Sequence, residues 1–490
     1  MMKAAWKVDN NEEAIYIDGE GDEKDGEGNH VYSYWHILPD LILEEVFSYL
    51  SIRERYYASM VCRSWHRAFF LQKVWSTFTM EDNTLTRRKF NYYYGWQHVL
   101  DHLRTQMCLI TVGRSIRCLV FEPMMNFYNL YEFMNMLSFF AERRDTERLI
   151  VGPKIRALKF TFPCNMADQE EHARIYGTGG RLLEALKRLM GNLKSLRSLQ
   201  LIDLMLEPVE AQHLLDEVCS LCCLTLETLV VINTTKLPYQ LLHVGVFLNL
   251  QVLYISPQNL GEDLLQLLGN TTLRHLHIVQ NRYTPAEVGL LRSLSARAWR
   301  QCRNSNPYLC VHFSMDGVRN RDVVWQDKAP VRSIVYDSPH VKVATQSILT
   351  TVDLYRGDLW VYAHKSLPRF HQPKAFQERV DSLLLLLCRQ CPYLHTLMVR
   401  ERISTSTVLL LAHTARNLRY FYVRRNAVIL RCDWPWSPEW SKDFYLWLKA
   451  ASRSYESTEK EVSQIFRRSW SMLSDEQYKM TDINLHESVY

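Results

Sequence analysis

The sequence has no apolar run of the roughly 18 residues that a membrane-crossing helix needs. Its most apolar long stretch, MMNFYNLYEFMNMLSFF (124–140), is interrupted by three Asn and a Glu. The opening MMKAAWKVDNNEEA lacks the apolar core of a secretory leader. These absences predict a protein of the cytoplasm and/or nucleus, with its 12 cysteines reduced. Catalytic signatures are also missing: there is no G-x-S-x-G, no H-E-x-x-H and no kinase motif set. GTGG (177–180) precedes a helical pattern, but the Lys-Ser/Thr of a phosphate loop does not follow it. Cys219-x-x-Cys222-Cys223 and Cys388-x-x-Cys391 lie about 170 residues apart, far from zinc-finger spacing, and read as buried structural thiols rather than a metal site.

The 490-residue chain is too long for one ordinary core, which points to several domains or a repeat array. Its composition, 47% hydrophobic and 23% charged, is that of a globular protein. The net charge of +5 is uneven. Residues 1–30 carry nine acidic and three basic side chains, a net of −6, so the other 460 residues carry +11. That excess is too dilute to call for nucleic acid. Residues 1–30 are acidic, Gly-rich and poor in large apolar groups, and read as a flexible tail.

Residues 38–50, LPDLILEEVFSYL, read as a helix with Pro39 in its first turn and Asp40 at its positive end. Tyr49, Ile42, Val46, Leu50, Leu43 and Phe47 cover one arc of about 160°, wider than the stripe of an ordinary surface helix, and Leu41 falls on the opposite flank. Further helical stretches follow at 53–70 and around 71–78. A unit of this size has more apolar surface than it can bury alone. The stretch LPDLILEEVFSYLSIRERYYASMVCRSWHRAFFLQKVW resembles an F-box. Leu38-Pro39-Asp40, Val46 to Leu50, Val61-Cys62-Arg63-Ser64-Trp65 and Val74-Trp75 carry the likeness. Ile52 stands where a Pro is frequent, and Arg55 where a Leu is common. The resemblance implies docking onto a Skp-type adaptor of a cullin–RING ubiquitin ligase, with Leu38, Pro39, Ile42, Leu43, Val46 and Leu50 in contact. Trp65 and Trp75 are expected to hold the helices together.

Downstream, apolar-x-x-apolar-x-apolar recurs eleven times, from IRCLVF (116–121) through LQVLYI (250–255), LRHLHI (273–278) and the poorest match, RGDLWV (356–361), to LRYFYV (418–423). The shorter steps, 23 to 25 residues, fall in the leucine-rich-repeat period. Helical stretches such as GRLLEALKRLMGN (180–192) and AFQERVDSLLLLLCRQC (375–391) lie between the repeats. The chain is similar to F-box proteins with leucine-rich repeats. The expected fold is α/β: a three-helix F-box (31–80), a solenoid with a curved parallel sheet and outer helices (81–430), and a Trp-rich helical C-terminal cap (431–490). The basic and aromatic segment RRKFNYYYGWQH (87–98) is read as a packed junction between F-box and repeats.

In each repeat the fourth and sixth positions should face the core and the fifth the opposite side. That row contains Tyr254, His277, His312, Trp360, Met398 and Tyr422, assigned here to the binding of a target protein. Coverage of the row by insertions or by the tail is the competing reading. The resemblance implies a non-catalytic substrate receptor of an SCF ubiquitin ligase, without cofactor or metal. A scaffold acting without the cullin, and a hydrolase with an unrecognised Cys–His pair, remain open at this point.

Overall fold

The computed structural model describes residues 34–93, 95–142, 152, 154–164, 177–285, 293–317 and 323–486. The acidic segment 1–30 lies outside the described residues. The chain divides into two compact units, Met1–Leu226 and Glu227–Tyr490.

The first unit opens with three helices: α1 (Asp40–Tyr49), α2 (Ile52–Ser59) and α3 (Arg63–Ala68). The stretch expected to be continuous from 53 is broken at Met60–Cys62. Ser51 caps α2 in a reciprocal box with Glu54, which gives the helix a start without the proline usual at position 52. Arg55 is buried, and its guanidinium donates to the carbonyls of Phe47 (3.0 Å) and Ser48 (3.1 Å). It thereby satisfies carbonyls at the end of α1, a task leucine could not perform. Trp75 is fully buried, donates from Nε1 to the Phe69 carbonyl (2.6 Å) and meets the Phe69 ring edge-on. Trp65 packs edge-on against Phe47. Both tryptophans join the helices as expected.

Strand β1 (Thr77–Met80) follows, where the sequence had suggested more helix. Next comes an antiparallel hairpin, β2 (Thr86–Asn91) and β3 (Gly95–Leu100). The hairpin corrects the expectation of a packed junction. Its base is anchored through Asn129, which exchanges hydrogen bonds with Leu100 N and His98 O. Its far end, however, leaves Phe90, Tyr92, Tyr93 and Trp96 in solvent.

Helix α4 (His102–Val112) leads into β4 (Cys118–Phe121), α5 (Phe127–Glu142), β5 (Ala157–Thr161), α6 (Arg181–Gly191), β6 (Ser198–Ile202) and α7 (Pro208–Cys222). β1, β4, β5 and β6 pair in parallel in that order. Alternate strand residues enter the core, where Phe78 stacks on Phe133 of α5 and Phe121 meets it edge-on.

The second unit repeats the scheme with β7 (Thr228–Ile232), β8 (Val252–Ile255), α8 (Glu262–Gly269), β9 (His275–Gln280), α9 (Ala296–Ser305), β10 (Cys310–Asp316), β11 (Val331–Asp337), α10 (Thr345–Tyr355), β12 (Val361–His364), α11 (Asp381–Gln390) and β13 (Thr396–Val399). It ends with the short β14 (Ile403–Ser404), α12 (Thr405–Thr414), β15 (Tyr420–Val423) and the short β16 (Val428–Ile429). β7 to β13 and then β15 pair in parallel, each with the next. All eleven recurring motifs overlap strands. This is the leucine-rich-repeat architecture expected: strands on one side of the core and helices on the other, as where Phe313 of β10 meets Tyr355 of α10.

Helices α13 (Lys442–Ala451) and α14 (Tyr455–Phe466) pack on α12, the last repeat helix. The cap expected to be helical over 431–490 is interrupted after Phe466. Arg467 adopts a left-handed conformation (φ 54°) that ends α14. Beyond it Leu473 N donates to Val423 O (2.8 Å), which extends the ladder past β15. A final turn of helix, α15 (Asp475–Met480), and residues to 486 complete the described chain.

Candidate functional site

Two surfaces are candidates, one on each unit. The first is the three-helix unit. Helix α1 is amphipathic with no intrinsic capping side chain, and its polar residues are engaged within the unit. Asp40 pairs with Arg67 (2.7 Å), Glu44 accepts from Lys73 N (2.7 Å), and Glu45 pairs with the Lys73 ammonium. What remains outward is apolar. Leu41 is 79% exposed, Tyr49 80% and Ile42 48%, with Trp35, Ile37 and Val61 exposed in the same small unit.

Of the residues expected to meet the adaptor, Pro39 and Ile42 are exposed, and Leu38, Val46 and Leu50 are half-buried. Leu43 is fully buried beside Phe47 and is corrected to a core residue. The physical reason is that a 160° arc is wide enough to serve two masters, and the half of it holding Leu43 and Phe47 turns inward. Leu41, placed by periodicity on the opposite flank, lies exposed beside Ile42 and extends the apolar outward face. Its own apolar character on an otherwise charged flank is the signal in the sequence that marks it.

The second surface is the sheet face of the second unit that looks away from the helices. Its fifth positions do not form one row. Tyr254, His277 and His312 align across β8, β9 and β10. β10 pairs with β11 so that His312 opposes Ser333, two residues before the fifth-position Val335, which lies opposite Ser314; a register irregularity sits between Val311 and His312. Val335 therefore continues a second row through Ala363, Met398 and Tyr422. Trp360 belongs to neither row. Tyr362 and Ala363 oppose Leu397 and Met398, so the repeat on β12 begins at Leu359, three residues later than its sequence motif implied. Trp360 sits before the strand with the Arg332 guanidinium 3.8 Å over its ring.

The expected open face is also corrected. His277, His312 and Met398 are buried, while Tyr254, Trp360 and Tyr422 are half-buried. Residues 473–486 lie against these rows. Val335, Val361, Ala363, Met398 and Tyr478 form one apolar cluster, with Trp360, Tyr422, Leu473, Ile483 and Leu485 packed around it. The Tyr478 hydroxyl donates to the His364 carbonyl (2.6 Å).

At the β9–β10 end, four imidazoles gather. His275 and His312 are hydrogen-bonded at 3.1 Å, His277 and His486 at 2.8 Å, and Tyr254 stacks on His277 at 3.9 Å. Burial, reinforced by the repulsion that charging adjacent imidazoles would bring and, at His275 and His312, by Arg332, pushes His277 down to about 2 and His275 down to about 4, and holds His312 well below the usual histidine range. These rings are neutral at physiological pH. Among the described residues no group of three or more His, Cys, Asp or Glu side chains is placed to hold a metal ion. Cys222, Cys388 and Cys391 are buried as expected, whereas Cys219 and Cys223 are only half-buried. Burial raises the thiols of Cys222 to about 11 and Cys391 to about 12, which leaves them poor nucleophiles. No described helix is long and apolar enough to cross a membrane.

Residues 35–77, the three-helix unit, match the F-box domain family. No curated protein matches the chain. Among solved structures, the crystal structure of a TLR13–ssRNA13 complex is similar at 12% identity with a TM-score of 0.28, over 64% of this chain and 46% of that one. The chain thus spans less than half the length of that protein.

Proposed function

We propose that this F-box protein is the target-binding subunit of an SCF-type ubiquitin ligase. The observation that carries the reading is the F-box at residues 35–77, whose α1 keeps apolar side chains in solvent while its charged ones are spent internally. A face so built gains by being covered. Leu38, Pro39, Ile42, Val46 and Leu50 are its adaptor-binding residues, joined by Leu41 and Tyr49. The repeats of the second unit hold the target protein, on the sheet face that bears Tyr254, His277, His312, Met398 and Tyr422, with Trp360 at its margin. The ligase acts by position: target and ubiquitin-loaded conjugating enzyme share one assembly, so their encounter becomes effectively intramolecular. The chain supplies no catalytic residue, and its buried, high-pKa thiols support that part of the reading.

Reconstitution with adaptor, cullin and RING subunit tests this. The chain should co-purify with the adaptor, and targets captured from cells should be ubiquitinated only when the cullin is present. Leu38→Ala with Pro39→Ala should release the adaptor by tenfold or more, since each lost apolar contact costs about 2 kcal/mol and each ~1.4 kcal/mol is tenfold. Adaptor binding without cullin engagement would instead identify a scaffold. Turnover by the isolated chain would identify an enzyme.

A further inference from the structure

The C-terminal segment does two separable things. Up to Leu473 it closes the end of the second unit: α13 and α14 pack on α12, Trp470 stacks on Phe421 and donates to its carbonyl (2.7 Å), and Leu473 continues the ladder. An exposed repeat end needs such a cap. Residues 474–486 run on beyond that closure. They leave the end and turn back over the sheet face, from β15 to β9.

Their contacts have the make-up of a recognised peptide. Asp475 lies in a two-point pair with Arg424, at 2.7 and 2.9 Å. One helical turn later Tyr478 inserts its ring among Val335, Val361, Ala363 and Met398. It is 1% exposed, and its hydroxyl is satisfied by a strand carbonyl. Asp482 faces Lys365 at 3.8 Å, Ile483 and Leu485 lie on the apolar cluster, and His486 meets His277. The charges are complementary: the segment carries Asp475, Glu476 and Asp482 against one Lys479, and the face presents Arg424 and Lys365. A bidentate arginine pair and a buried tyrosine are the anchors that dominate peptide interfaces. Meanwhile Met480 in the same turn stays 86% exposed, which is not how a core helix is used.

We infer that residues 474–486 are a tethered ligand of this face. The partner the face takes in trans is an acidic peptide segment of the same kind, with Asp-x-x-Tyr on one helical turn followed by aliphatic residues, and it must displace the tethered copy. This rests on the reading of the repeats as the target-binding part. Adaptor capture by the F-box is a separate measurement on the same samples, so failure of the ligase reading and failure of this inference show in different assays.

The test uses the full chain and a fluorescein-labelled peptide of residues 472–486. Wild-type protein should bind the peptide weakly, because its own copy is held at an effective concentration on the order of millimolar. The chain with Asp475→Ala and Tyr478→Ala should keep a cooperative melt and bind the peptide at least about tenfold more tightly. Adding Arg424→Glu on the sheet should abolish that binding, and a peptide carrying Asp475→Arg should restore it. Equal binding to wild type and variant would overturn the inference, as would binding indifferent to the charge reversal. Loss of the cooperative melt in the double variant would also overturn it, by showing that the segment is core.

Discussion

At the scale of single residues, three arginines do work that the sequence pattern assigned to no one. Arg55 replaces an expected leucine by capping α1, and the Trp75 ring lies 5.2 Å from its guanidinium. Arg400 is fully buried and donates to the carbonyls of Ser338 and Val341 on one loop and Ser366 on another, so one side chain ties its own segment to two loops. Arg379 pairs with Asp381 (2.9 Å) where both side chains are wholly buried, and with Asp433 (2.6 Å). Removing one member of such a pair strands the other charge without water. Arg379→Ala should therefore lower stability by about 3–5 kcal/mol, read from the denaturant midpoint of the second unit. A loss below about 1 kcal/mol, the worth of a surface pair, would show that Asp381 is held well enough by Ser404 and Thr407 alone.

At the scale of elements, α1 separates two effects along one helix. Ile42 and Leu43 are neighbours, yet one is 48% exposed and the other 0%. Leu43→Ala should destabilise the folded F-box by about 2–5 kcal/mol, seen as an earlier melt of the isolated protein. Leu41→Asp with Ile42→Asp should leave that melt nearly unchanged and abolish adaptor capture, since it places charge where an apolar contact is required. The reverse pattern would mean that the adaptor approaches another face. The β2–β3 hairpin makes the converse point. Its basic and aromatic residues suggested packing, but a two-stranded ribbon has two faces and here covers neither at its tip.

At the scale of the whole molecule, the buried histidines of the second unit couple its stability to pH. His277 and His364 are buried, and desolvation holds their folded values near 2 and 4, below the ordinary 6.5. His275 is half-buried and His486 exposed; both are shifted the same way, with Arg332 and Arg274 adding to the effect at His275. Glu401 opposes the shift at His364, and Arg400 supports it. A depressed folded value means that the unfolded chain takes up protons first. Between about pH 6.5 and 4 the unfolded state binds more protons, so stability falls as pH falls, by about 1.4 kcal/mol per pH unit for each fully buried group. The melting temperature should drop steeply from pH 7 to pH 5, and His277→Gln should flatten the slope. A melting temperature independent of pH in that window would place these imidazoles in water.

The sequence by itself determined the repeat architecture and the F-box. Both are written in local, periodic terms: strand motifs spaced for one turn of a solenoid, and an apolar helix followed by Cys62-Arg63-Ser64-Trp65. It did not determine which half of the α1 arc faces inward, because periodicity reports a face but not what lies against it. Nor did it give the register of the fifth-position row. A shift at Val311–His312 and a repeat that starts at Leu359 are set by pairing with neighbouring strands, and only the assembled sheet shows them. The occupation of that face was also out of reach. Tyr478 and His364 are 114 residues apart, as His486 and His277 are 209 apart, and contacts so distant leave no period in the chain. They exist because the last segment, once the cap has closed the unit, lies beside a face whose charge and apolar groups match its own.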